Sequence, residues 1–188
     1  MVQATTVSLA PDAQIDASAT RSGDGGRVVL WSNVATSAAH TTVAGRITAT
    51  GIGQGGQVET SGHSLTIDGA QVHAGGKSGG GQWLIDPFDY TIGSSQAAAI
   101  SSTLNGGTDV TVQTSGVAGD GQGNGNINVN ASISKTAGDS ATLTLKAHND
   151  IIVAANTTIG STAGALTVVM NCDADGNGGG AIRMNSGA

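Results

Sequence analysis

Aromatic residues are almost missing from this chain: two Trp, one Tyr and one Phe in 188 residues. Charge is scarce too, at 11% against ~25% in an ordinary domain. Each shortage excludes something. The seven Lys and Arg are scattered, without a basic patch, so phosphate neutralisation is not available and a nucleic-acid partner is not expected. No apolar run approaches the ~18–20 residues that span a bilayer, so membrane insertion is not expected. The single cysteine, Cys172, cannot build a disulfide framework. Met1 is not followed by a basic segment and an apolar stretch, so no signal peptide is read there. With a net charge of −6 the chain also lacks the charge density that keeps disordered segments from collapsing.

What is abundant is small. Glycine alone contributes 31 residues, and Ala, Thr, Ser, Val and Asn make up much of the rest. Small and β-branched side chains suit narrow β cores joined by tight turns. The chain also repeats. GGRV begins at Gly25, GGQV at Gly55 and GGQW at Gly80. A second series keeps nearly the same phase: AQIDA from Ala13, GRITA from Gly45 and AQVHA from Ala70. Later, NINVNASI from Asn126 returns as DIIVAANTTI from Asp150, and TAG recurs at Thr136 and Thr162. Apolar residues alternate within each unit, as Ile127 and Val129 or Leu143 and Leu145 do, which is the period of a half-buried strand. Short strands recurring every twenty-odd residues signal a solenoid, because one rung cannot bury its inward face alone. The expected fold is all-β, a parallel β-helix of seven or eight rungs. Two inward columns follow from aligning the repeats: Ile15, Ile47 and Val72, and Val28, Val58 and Trp83.

Three of the four aromatics fall in GGQWLIDPFDYTI, residues 80–92. Alignment puts Trp83 in an inward column, so it reads as core before ligand platform, and Trp31 in VVLWS reads the same way. Asp86-Pro87 then interrupts the strand, since proline has no ladder donor. Residues 94–107, SSQAAAISSTLNGG, form the one short amphipathic helix, near 95–105. Ser94 or Ser95 is its expected cap, Ala97, Ile100 and Leu104 its apolar stripe, and Asn105-Gly106 its close. The stripe is expected to pack on Phe88, Tyr90 or Ile92. One continuous solenoid is therefore divided as rungs over 1–92, a helix-bearing insertion and return strand over 93–118, and further rungs over 119–188.

This order of motifs resembles the filamentous haemagglutinin-like exoproteins of Gram-negative bacteria: GGRVVLWS, a GGQVETSG rung, GGQWLIDPFDYTI with its Ala-rich helix, then DVTVQTS and NDIIVAA. The resemblance covers nearly the whole chain. It implies a right-handed parallel β-helix and export by two-partner secretion through an outer-membrane partner. It also implies residence at the cell surface or release from it, and a role as adhesin toward host cells, matrix or glycans. No amino-terminal secretion domain is recognisable, so the chain looks like an internal or distal segment of a longer fibre.

Candidate chemistry is thin. Asp173, Asp175 and Asn177 in DADGNG match the start of a calcium loop, D-x-[DN]-x-[DN]-G, yet Met184 stands where the twelfth position needs a bidentate Glu. Asp, Asn and Gly are also ordinary turn formers. GIGQGG at Gly51 has the spacing of a phosphate loop but is followed by a strand instead of a helix. Asp12, Asp24, Asp68, Asp120 and Asp139 sit beside turn residues, where local hydrogen bonding is their expected work. His40, His63, His73 and His148 lack metal-ligand spacing. Asp16 and Glu59 fall at different points of the rung, so no paired carboxylates are expected to converge. The expectation is a non-enzymatic adhesive segment without a cofactor. The alternative is a carbohydrate-binding or carbohydrate-active protein on the same scaffold.

Overall fold

In a computed structural model, which describes residues 4–115, 125–176 and 179–188, the chain winds as a parallel β-solenoid with one short helix. Each coil contributes three elements in fixed order. The first coil holds β1 (Thr6–Leu9), β2 (Gln14–Asp16) and β3 (Arg27–Trp31); the second β4 (His40–Val43), β5 (Arg46–Thr48) and β6 (Gln57–Gly62). The third holds β7 (Ser64–Ile67), β8 (Gln71–His73) and β9 (Gln82–Pro87); the fourth β10 (Tyr90–Ile92), α1 (Ser94–Asn105) and β11 (Asp109–Gln113). The fifth holds β12 (Ile127–Val129), β13 (Ile133–Lys135) and β14 (Ala141–Lys146). The sixth holds β15 (Ile151–Val153), β16 (Ile159–Ser161) and β17 (Leu166–Asn171), and β18 (Ile182–Met184) opens a seventh.

The third element of every coil joins one continuous six-stranded parallel sheet, β3-β6-β9-β11-β14-β17. About five turns therefore separate its first and last strands, fewer than the seven or eight rungs expected from sequence. The other two faces are interrupted: β1-β4-β7 and β10-β12-β15-β18 make up one, β2-β5-β8 and β13-β16 the other. Ile15, Ile47 and Val72 stand in register, as do Val28, Val58 and Trp83. The second column continues through Val110 and Leu143 to Val168. Trp83 is fully buried, and its indole N–H donates to the Thr60 hydroxyl at 3.1 Å. Trp31 departs from expectation. It alternates with inward Val28 and Leu30, so it lies on the outward side and is 39% exposed.

A glycine pair marks the corner that leads into β3, β6 and β9. A Cβ on Gly56 would strike the carbonyl oxygens of Gly26 and Ala49, and one on Gly81 those of Ala74 and Gly56. The GG signal is therefore a packing requirement: successive coils pass too closely there for any side chain.

The helix is a substituted strand. It occupies the second-face position of the fourth coil and lies chiefly against β8 and β13, with a smaller contact to β10. Its stripe of Ala97, Ile100 and Leu104 shares one core cluster with Tyr90 and Ile92, as expected, and Phe88 stands outside that cluster. Ala97, Ala99, Ile100, Thr103 and Leu104 face the core. A helix cannot extend the ladder, so its side chains and the turn after it satisfy the neighbouring backbone instead. Thr108 Oγ1 accepts the Ala74 N–H at 2.9 Å, Ser101 Oγ that of Ser134 at 3.0 Å, and Asn105 Oδ1 those of Thr136 and Ala137. The cap also differs. Gly93 is the N-cap, without a side-chain bond, and Ser95 Oγ instead donates to Asp68 Oδ1 at 2.6 Å.

Side-chain oxygens stitch the coils together elsewhere too. Asp89 Oδ1 accepts the N–H of Asn126, Asn126 Oδ1 that of Asp150, and Asp150 Oδ1 that of Ala181. Asp24 Oδ1 reaches the N–H of Gln54, thirty residues on. These bonds cross from coil to coil, so the local role expected for Asp24 and Asp68 is corrected; Asp120 lies outside the described residues.

Candidate functional site

An open groove of about 1080 Å³ lies over the outward face of β2-β5-β8. Outward positions on parallel strands stack in columns, and one column here is Asp16, Thr48 and His73. Arg46 stands beside it on β5. One wall is the glycine-rich turn that carries Lys77; the other is the end of α1 at Gly106 and Gly107, with Asp139 nearby. The solenoid's own regularity thus brings together a carboxylate, a hydroxyl, an imidazole and two cations that are far apart in sequence.

The electrostatics of these groups follow from their neighbours. The Ser18 side chain and backbone N–H, then Thr48, and least Arg46, hold the Asp16 carboxyl below its ordinary value, so it is ionised at neutral pH. Burial, with a smaller push from Arg46, lowers the His73 imidazole, so it is neutral there. Among the described residues neither the Arg46 nor the Lys77 side chain is held in an ion pair or hydrogen bond. The groove therefore offers two uncommitted cationic donors, a neutral imidazole that both donates and accepts, and fixed acceptors at Asp16 and Asp139. Such a lining suits a polar ligand rich in hydroxyl or carboxylate groups.

The aromatics do not line this groove. Trp83, Phe88 and Tyr90 are all buried, and Phe88 stacks on His63 with ring centroids 4.7 Å apart. His63 Nδ1 lies 2.8 Å from the Val34 carbonyl oxygen. A smaller hollow of about 430 Å³ lies where β7 and β10 fail to pair, beside His40, His63 and Phe88. The Tyr90 hydroxyl is buried without a partner among the described residues, and burial drives its phenol well upward. Only Trp31 could offer an exposed ring.

Asp16 and Glu59 sit on different faces, on β2 and β6. A carboxylate pair absent from the sequence reading does occur on the outward side of the long sheet. Asp86 is in register with Ser61, and Ser61 Oγ donates to Glu59 Oε1 at 3.2 Å. Burial raises the Asp86 carboxyl, the Ser115 hydroxyl opposes the rise at 2.8 Å, and Glu59 adds a smaller upward push. Both acids already have protein partners, since Arg27 pairs with Glu59 at 3.0 Å.

The calcium-loop residues are likewise engaged. Asp175 Oδ2 meets His148 Nε2 at 3.1 Å, and Asp173, at φ 54°, accepts the Gly179 N–H at 3.4 Å. Asn177 lies outside the described residues, as does most of the GDGQGNGN stretch from Gly119. Among the described residues no group of three or more His, Cys, Asp or Glu is placed to hold a metal, and no helix is long and apolar enough to cross a membrane.

Lys135 is the polar residue that sequence reasoning missed. It is fully buried, and its ammonium donates to the carbonyl oxygens of Ala137 at 2.5 Å, Gly138 at 3.1 Å and Ala163 at 2.7 Å. Those carbonyls belong to the two TAG turns, stacked on successive coils. Ser161, the register partner of Lys135, serves the second turn through its hydroxyl. A phase-aligned reading of KTAG against STAG would have placed Lys135 in an inward column. No family model, curated protein or solved structure matches the chain.

Proposed function

We propose that the chain is a rod-forming, non-catalytic attachment module, displayed on or released from a Gram-negative cell, whose contact surface is the groove over β2-β5-β8. The observation that carries this reading is the groove's lining: Asp16, Arg46, Thr48 and His73 project from a rigid ladder, with Lys77 in the wall. Rigid presentation lowers the ordering cost of binding, which is what a surface attachment site needs. The motif order shared with filamentous haemagglutinin-like exoproteins supports the export route and the adhesive role. The partner surface is a host cell or matrix, with glycans as its chemistry.

A carbohydrate ligand is also favoured by the mixed donors and acceptors of the groove, because sugar hydroxyls do both. Recognition would then rest on hydrogen bonds, since three of the four aromatic rings are buried and unavailable for stacking. The test is binding of the purified chain to a glycan array and to cultured cells, with and without calcium. The double variant Arg46→Ala, Lys77→Ala should lose at least tenfold in half-maximal binding while its circular dichroism is unchanged. Undiminished binding by that variant would move the contact surface elsewhere, and no binding to any glycan or cell would overturn the attachment reading.

A further inference from the structure

The uncommitted cations of this chain gather in one place. Carboxylates outnumber Lys and Arg thirteen to seven, so ion-pair partners are not scarce. Arg27 pairs with Glu59 and Arg183 with Asp150, carbonyl oxygens hold Lys135, and Lys146 is close enough to Asp86 to act on its carboxyl. Three cations are left. The side chains of Arg21, Arg46 and Lys77 have neither ion pair nor hydrogen bond among the described residues. Arg46 and Lys77 line the groove over β2-β5-β8, and Arg21 follows its lining residue Thr20 in the chain. The groove's carboxylates are placed differently. Asp16 Oδ1 accepts the Ser18 N–H at 3.0 Å, and Asp139 belongs to the fifth coil, whereas Arg46 and Lys77 belong to the second and third.

Arg46 stands in register between Gln14 and Gln71, in an outward column beside that of Asp16, Thr48 and His73. Both amide side chains are exposed, and neither has a partner among the described residues. Gln14 and Gln71 also line a smaller hollow of about 200 Å³ that Arg46 borders, so hollow and groove share one guanidinium.

We propose that the groove takes an acidic oligosaccharide, a chain of pyranose rings bearing carboxylates, laid along the rod axis with carboxylates on Arg46 and Lys77. This rests on the attachment reading and names the ligand class of its site. A guanidinium binds a planar carboxylate through two parallel N–H bonds, and charge-assisted bonds are roughly twice as strong as neutral ones. A neutral sugar would leave both cations facing hydroxyls alone. The rest of the lining accounts for the sugar: the Gln14 and Gln71 amides, the Thr48 hydroxyl and the His73 imidazole each donate and accept, as sugar hydroxyls do. These groups recur from coil to coil every ~4.8 Å, a length similar to one pyranose unit. An acidic peptide fits less well, because its apolar side chains would meet glycines, hydroxyls and charges without an apolar recess.

Titration calorimetry of the whole chain with hexagalacturonate and with its fully methyl-esterified form separates charge from shape, since the ester keeps every hydroxyl and loses every carboxylate. Each exposed ion pair is worth up to about fivefold, so two should favour the acid by about tenfold or more at low salt. That advantage should shrink at physiological salt, where exposed charges are screened. Arg46→Gln with Lys77→Gln should bring the acid-to-ester ratio to about one, with unchanged circular dichroism. Equal affinity of the parent for acid and ester overturns the proposal, as does no binding of either, or a ratio that survives both substitutions. Hexaglutamate binding as tightly as hexagalacturonate overturns the sugar and assigns the groove to an acidic peptide. None of these results touches the attachment reading, which falls only if the chain binds no glycan on an array and no cell.

Discussion

Replacing Lys135 by Met removes a buried ammonium while keeping an unbranched stem of similar length. The size of the loss depends on which of two opposing terms is larger. Burying a cation is expensive, and deleting both the charge and its cost can be close to neutral when the surroundings are apolar. Here the surroundings are three carbonyl oxygens, those of Ala137, Gly138 and Ala163, at 2.5–3.1 Å. Each loses a charge-assisted bond of about 1.5–3 kcal/mol net, and an acceptor left dry costs about 1–3 kcal/mol. Ala137 and Gly138 lie in an exposed turn, so part of that loss returns as bonds to water. Ala163 keeps the Ser161 hydroxyl at 3.0 Å. The balance is a loss of about 2–4 kcal/mol, smaller than three full bonds and larger than an apolar core swap. Urea denaturation measures it, provided the slope stays constant between the proteins. Solenoid coils open locally, so amide exchange should rise first in β13, β16 and the two TAG turns. Ser161→Ala added to Lys135→Met should cost more than the sum of the two alone, because both side chains serve the Ala163 carbonyl. A loss below about 0.5 kcal/mol, with exchange unchanged in the turns, would refute the claim that this lysine pins the coils together.

Further outcomes follow from the same geometry. Val58→Asp places an unpaired carboxylate between Val28 and Trp83 and should cost several kcal/mol; an unchanged melting midpoint would contradict the column. Acrylamide should quench one of the two tryptophans, Trp31, and spare Trp83, so Trp31→Phe should leave emission that is blue-shifted and nearly unquenched. His73 is held below its ordinary 6.5, so the folded protein resists taking up its proton. The sign follows from linkage: the unfolded chain gains the proton first, and stability falls as pH drops from 6.5 toward the folded value. His73→Gln should flatten that part of a stability-against-pH curve. Asp86 acts in the opposite direction. Its carboxyl is raised above 3.8, so the stability it contributes is present at acid pH and fades as pH rises through the folded value. Asp86→Asn should therefore be more stable than the parent at pH 7, by urea denaturation.

The columns were readable because their signal is periodic. GGxV recurs where coils touch too closely for a side chain, and a valine or tryptophan follows in each inward slot. Alternation in NINV and TLTL gave the inward faces for the same reason. What escaped notice depends on a neighbour one coil away. Asp24 beside glycine looks like a turn residue, yet its acceptor serves Gln54. The groove is the extreme case. Asp16, Arg46, Thr48 and His73 carry no motif in sequence and become neighbours only when the phase of the repeat is applied to outward as well as inward positions. Trp31 misled because a strand end offers no second apolar partner to fix its parity.

The helix shows how far the repeat can be broken without losing the rod. A strand in that slot would give β8 and β13 ladder bonds on a second side; α1 gives them none. The replacement works because hydroxyls and amides of Ser101, Asn105 and Thr108 stand where ladder acceptors would have stood. The composition of that segment is thus doubly constrained. Its alanines let a helix fit in the space of a strand, and its polar residues at the ends repair the ladder on either side. The unbroken long sheet carries register past the interruption, since β9, β11 and β14 pair directly. One face suffices to hold the axis, which leaves the other two free to vary. That freedom places the end of α1 beside β8 and so supplies the wall of the groove at Gly106 and Gly107. The site proposed for attachment is therefore a consequence of the one irregular coil, and a chain with a strand in place of α1 would keep the rod but lose that wall.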